Sequence, residues 1–117
     1  MKKTRLSYGI ATLLLVLAVR GSVAVEKPAP NEVRIDNFSF IPQALTVPVG
    51  TTVTWVNRDD IPHTVLSADK KTIVSPALDT DEKFSYTFTA AGTYDYYCSV
   101  HPHMKGRIIV EAGKSSP

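Results

Sequence analysis

Apolar residues between Val33 and Glu111 recur at every second position, in short runs broken by turns. Val33 and Ile35 alternate with polar neighbours, and Phe38 and Phe40 resume the period after Asp36-Asn37. Leu45-Thr46-Val47 leads into a turn at Pro48-Val49-Gly50. Val53 and Trp55 share one face, and Thr52 and Thr54 the other. Phe84, Tyr86 and Phe88 alternate with Lys83, Ser85 and Thr87. Beyond Ala91-Gly92, Tyr94, Tyr96 and Cys98 share a face opposite Asp95 and Tyr97. Ile108 and Val110 then alternate with Arg107, Ile109 and Glu111. Neighbouring side chains of a strand point to opposite faces, whereas a helix face needs a period of about 3.6. No segment has that longer period. The pattern therefore predicts an all-β fold, a Greek-key β-sandwich of about seven to eight strands. Ser67 to Glu82 is the least regular stretch and predicts a loop with a short strand at Thr72 to Val74.

The chain has 117 residues, and residues 1–24 have the layout of a secretory signal peptide. Lys2, Lys3 and Arg5 form a basic start, Ile10 to Val19 is apolar and uncharged, and Ser22-Val23-Ala24 offers small residues where a signal peptidase reads. The apolar run ends at Arg20, well short of the ~20 residues needed to span a bilayer. Cleavage after Ala24 and an extracytoplasmic, periplasmic-type location are expected, with no stable membrane insertion afterwards. The basic start has no arginine pair and the cleavage region has no cysteine, so neither export of a folded chain nor a lipid anchor is indicated. Residues 25–31 read as a linker, 32–111 as the domain and 112–117 as a polar tail. Cleavage would remove Lys2, Lys3, Arg5 and Arg20 and no acid. The 13 basic residues fall to nine against 11 acidic ones, and the formal charge moves from +2 to −2. No basic stripe argues for nucleic acid.

The chain has one cysteine, so an internal disulfide is impossible. Alone, Cys98 could be a buried structural thiol or an intermolecular cross-link. Its neighbours point elsewhere. His101 and Met104 follow at two equal steps of three, and Pro102 restricts the loop between them. His63 is distant in sequence, after Pro62 and before Thr64-Val65. A sandwich gathers its loops at two ends, so this loop can meet the one after Cys98. Two imidazoles, a thiolate and a thioether are the donor set of a blue-copper site, in which one copper ion cycles between Cu(I) and Cu(II). A metal joining distant residues would also brace a small domain that has no disulfide.

The same residues carry a resemblance. Phe40-Ile41-Pro42, Leu45-Thr46-Val47, Val53-Thr54-Trp55-Val56-Asn57, Pro62-His63-Thr64-Val65, Gly92-Thr93-Tyr94-Asp95-Tyr96-Tyr97-Cys98 and Lys105-Gly106 occur in the order seen in cupredoxins. Within them the chain resembles the small amicyanin and plastocyanin group, and the short interval from Cys98 to Met104 resembles amicyanin. The resemblance implies a cupredoxin-like fold, copper held by His63, Cys98 and His101 with Met104 as weak axial donor, and single-electron transfer rather than enzymatic catalysis. It implies redox protein partners docking transiently near His101, whose ring edge would reach the surface. A monomer is expected.

Three departures set this chain apart from the amicyanin pattern. Thr64 stands where asparagine usually follows the first histidine, which reduces a side-chain clamp to a hydroxyl. Val100 stands where proline precedes the second histidine, and its N–H is expected to bond the Cys98 sulfur, so that Val100→Pro would lower the reduction potential. His103 falls outside the ligand pattern and is expected to face solvent. The main rival is a copper carrier or chaperone that uses the same donors but releases the metal. A zinc-bound or metal-free structural sandwich is a weaker alternative. A nucleophilic set of Cys98, His63 and Asp95 is disfavoured, because Asp95 lies on the opposite strand face from Cys98.

Overall fold

The computed structural model describes residues 28–113, together with residues 3–4 and 9. The expected signal peptide apart from residues 3–4 and 9, residues 25–27 of the expected linker and the tail from Lys114 onward lie outside the described residues. Among the described residues eight strands form: β1 (Glu32–Asp36), β2 (Ser39–Ile41), β3 (Ala44–Pro48), β4 (Thr52–Asn57), β5 (Leu66–Ser67), β6 (Lys83–Thr87), β7 (Gly92–Tyr97) and β8 (Lys105–Glu111). They make two four-stranded sheets, ordered β2-β1-β4-β6 and β3-β8-β7-β5. The all-β sandwich predicted from the alternation is therefore what the chain adopts.

The alternating residues decide the register. Val33 pairs with Trp55 in the parallel β1/β4 ladder, and Trp55 with Phe84 in the antiparallel β4/β6 ladder. Across the sandwich, Val47 pairs with Val110 and Tyr94 with Ile108. Val33, Ile35, Val53 and Trp55 from the first sheet bury against Val47, Tyr96, Ile108 and Val110 from the second. Each fully buried large apolar side chain contributes about 1.5–3 kcal/mol, and a slip by one residue would turn a whole set outward. The outer face of β4/β6 is polar, with hydroxyl pairs Thr52–Thr87 and Thr54–Ser85 each at 2.7 Å.

The predicted strand at Thr72 to Val74 is reduced to a single bridge between Leu66 and Val74. Side chains close this hairpin in place of a ladder. The Asp69 carboxylate accepts from the Ser67 and Thr72 hydroxyls and from the Lys71 and Thr72 N–H groups, and Ser67 Oγ accepts from Ile73 N–H. A second difference concerns Phe38. Alternation placed it on a strand with Phe40, but Asn37 and Phe38 form the β1–β2 turn with φ of 49° and 56°. Phe40 is buried, whereas Phe38 is 52% exposed.

The ladders bring three connections to one end of the sandwich. Parallel pairing of Ile35 with Asn57 sets the β1–β2 turn beside the chain leaving β4. That chain crosses to the other sheet, where Leu66 of β5 pairs with Tyr97, the last residue of β7. The β7–β8 connection therefore joins the same end.

Gly106 makes room for the ring of Tyr96, its partner across the β7/β8 ladder. A Cβ built on it would sit 2.3 Å from the Tyr96 ring, and Tyr96 is itself buried between Trp55 and Phe40. Overpacking of a filled core costs about 1–3 kcal/mol. Gly106→Ala is expected to destabilise the metal-free protein by that amount in chemical denaturation, and an unchanged midpoint would contradict this packing.

Candidate metal centre

Asn57 props the loop that carries the first histidine. Its buried side-chain amide donates to the carbonyls of Ile61 (2.9 Å) and Leu78 (2.8 Å), and its Oδ1 accepts from Asp59 N–H (2.9 Å). His63 is then pinned by reciprocal backbone bonds with Leu78, at 3.1 and 2.7 Å. Its imidazole is fully buried. Nε2 lies 2.7 Å from Asp59 Oδ2. Burial pushes the Asp59 carboxyl up, but the N–H groups of Phe38 and Asn37, together with His63, outweigh this and hold it below the ordinary carboxylate range. An ionised carboxylate only accepts, so Nε2 carries a proton, and Nδ1 is the ring nitrogen that faces the Cys98 sulfur. A carboxylate behind a histidine in this way fixes the tautomer and raises ligand basicity.

The second cluster is a series of turns. His101 N–H donates to the Cys98 carbonyl (3.2 Å), Met104 N–H to the His101 carbonyl (2.9 Å), and Cys98 N–H to the Met104 carbonyl (3.0 Å). The steps of three in the sequence thus become turns that return to one place. Cys98 and Met104 are buried, His101 is half-buried, and His103 is exposed as expected.

The structure brings the distant residues together. Cys98 Sγ lies 3.7 Å from His63 Nδ1 and 3.7 Å from His101 Nδ1. One donor from each of the three residues falls within 4.8 Å of the others. Metal–thiolate and metal–imidazole bonds of about 2.3 and 2.05 Å, at tetrahedral to trigonal angles, separate sulfur from nitrogen by roughly 3.6–3.8 Å. The donors fit one small ion. Met104 is 5% exposed and its backbone is tied to both Cys98 and His101, so the fourth predicted donor lies in the same turn system.

Comparison with known proteins agrees with this geometry. The family model described as copper binding proteins, plastocyanin/azurin family, matches residues 29–111. The chain belongs to this family of copper-binding cupredoxins. Amicyanin of Paracoccus denitrificans is 33% identical over 119 residues, which cover 86% of this chain and 91% of that protein. Chloroplastic plastocyanin of Chlamydomonas reinhardtii is 32% identical over 114 residues, covering 87% and 76%. Among solved structures, the oxidized state of a proline-to-alanine variant of amicyanin superposes with a TM-score of 0.65 at 39% identity, over 68% of this chain and 80% of that one.

The Thr64 hydroxyl does link the ligand loops: its Oγ1 accepts from Ser99 N–H (2.8 Å) and bonds Ser99 Oγ (2.7 Å), while Thr64 N–H donates to Cys98 Sγ (3.4 Å). The expected Val100 N–H bond to sulfur is not present among the described residues. The His101 N–H goes to the Cys98 carbonyl (3.2 Å) and the amide bonded to the sulfur is that of Thr64, so Val100→Pro loses its basis for lowering the potential. Sequence reasoning missed Asp59 and Phe38. Asp59 reads as one of an exposed acid pair, and the only local signal of its role is its place four residues before His63.

Burial pushes the Cys98 thiol up, but the Thr64 N–H, the His63 and His101 rings and the His101 N–H overcome it and bring the thiol down to about 6. A thiol lowered on folding stabilises the folded chain above its unfolded value and loses that contribution as pH falls through the folded one. Metal-free protein is expected to gain thermal stability between about pH 6 and pH 9, by a component missing in Cys98→Ala. Identical pH profiles of melting temperature in the two would contradict a native thiolate.

Proposed function

We propose that this chain is an exported type 1 copper protein that shuttles single electrons between redox partners. His63 Nδ1, Cys98 Sγ and His101 Nδ1 would be its strong ligands and Met104 a weaker fourth. The equal 3.7 Å separations of the sulfur from two imidazole nitrogens carry this reading. Bound copper would supply the one-electron couple, accepting an electron from a reduced partner and passing it to an oxidised one.

The chain's own residues do the rest. Cys98 is held as a thiolate, Asp59 fixes the His63 tautomer, and the Thr64–Ser99 contacts hold the two ligand loops at one separation. A site that moves little between oxidation states keeps the reorganisation cost of electron transfer low, although how far the protein imposes that geometry is debated for such centres. His101, half-buried beside exposed Pro102, Val100 and Pro62, is the route to the surface. A small apolar contact suits partners that bind weakly and exchange quickly. The N-terminal signal-like segment supports action outside the cytoplasm. The proposed role includes no catalytic step.

Loading the protein with Cu(II) and recording visible and EPR spectra through a reduction cycle tests the proposal. An intense blue band with narrow copper hyperfine splitting, bleached and restored reversibly, is expected. Cys98→Ser should abolish it. A pale species that loses its copper on reduction would overturn electron transfer in favour of a copper carrier.

A further inference from the structure

One exposed residue sits against both proposed imidazole ligands. The Phe38 ring meets His63 at a centroid distance of 5.6 Å and an interplanar angle of 89°, and His101 at 5.1 Å and 87°. Both are edge-to-face contacts within the favourable range for aromatic rings. The two imidazoles also touch each other, at 5.0 Å. Phe38 therefore closes a three-ring cluster from the solvent side, on the half-buried ligand that has the least around it.

The backbone beneath Phe38 is unusual. A two-residue hairpin turn with both φ values positive is normally occupied by Asn-Gly, because a side chain at the second position is strained. Here Asn37 satisfies the pattern and Phe38 breaks it, at φ 56°. Such a conformation persists only where its surroundings over-determine it. Asp59 supplies that determination. Its Oδ1 accepts from Asn37 N–H (2.6 Å) and its Oδ2 from Phe38 N–H (3.0 Å), while the same Oδ2 takes His63 Nε2 (2.7 Å). One carboxylate thus fixes both a ligand imidazole and the aromatic ring packed on it. Phe40, two residues on, anchors the hairpin through its contact with Tyr96 at 4.6 Å.

We propose that Phe38 is a positioning residue for the metal centre, a cap that restrains the His101 imidazole and keeps water from the sulfur–imidazole cluster. Its place in the turn is set by Asp59. The inference rests on the ligand assignment above. Removing the ring frees His101 to turn and admits water. A wetter site favours the more highly charged Cu(II), so the potential falls, and ligand exchange quickens.

Phe38→Gly makes the test sharp, because it deletes the ring while relieving the strained backbone. The metal-free variant should melt at or above the wild-type temperature, yet release copper to a chelator faster, by about tenfold for two lost ring contacts. Its potential should drop, and NMR relaxation of the His101 ring in metal-free protein should show greater mobility. Phe38→Tyr should restore all three properties. Wild-type release, potential and His101 relaxation in Phe38→Gly would overturn the proposal, as would a change confined to electron exchange with a partner. If Phe38→Gly does not fold, Phe38→Leu is read by the same three measurements. A wild-type protein without a blue band would overturn the ligand assignment, while His101 relaxation in the metal-free variants would still decide for or against Phe38.

Discussion

Two residues 35 positions apart, His63 and Cys98, must be held within ligand distance of each other across the two sheets. Closing so long a connection costs chain entropy, and the cost is met by the sandwich rather than by the site. The pairing of Leu66 with Tyr97 brings the strands beside the two ligands into register, and the Thr64–Ser99 bonds finish the approach. The metal then has little organising left to do. The donors already stand at a separation that one ion can bridge, which is the condition for a centre that changes oxidation state without rebuilding its surroundings.

Electrostatics works in the same direction as packing. A buried thiol beside apolar neighbours would ordinarily stay protonated. Here amide N–H groups and imidazole rings converge on the sulfur, and their combined effect exceeds the desolvation that opposes it. Asp59 plays the matching part on the other side of His63. Its negative charge tolerates near-complete burial because two backbone N–H groups and an imidazole satisfy it. The centre is thus a balanced arrangement of donors and acceptors whose partners come from three connections of the fold.

The fold and most of the site were legible in the sequence because both rest on short-range regularities. Period-two alternation exposed β1, β4, β6, β7 and β8, and the steps of three from Cys98 to Met104 are the spacing of the turns that the backbone makes. His63 was found by donor chemistry and the tendency of sandwich loops to gather. Phe38 was misread because hydrophobic alternation and turn chemistry conflict at Asn37-Phe38, and the turn prevails once Asp59 holds it. That contact spans 21 residues and leaves no local trace. Val100 was misread for the opposite reason. A local inference about one N–H ignored that the tight turn after Cys98 directs the His101 N–H to the Cys98 carbonyl, while the sulfur takes its amide from Thr64 on the other ligand loop.

Complete burial of Cys98 also bears on the chemistry of oxidation. An accessible thiol reacts with oxidants and disulfides through its thiolate, and a chain with one cysteine has no internal thiol to pair with it. Folding encloses that sulfur, so reagents too large to enter the interior do not reach it. Vulnerability to cross-linked dimers or sulfenic acid is therefore concentrated in the interval before the sandwich closes. For such a chain, the speed of folding is itself a form of chemical protection.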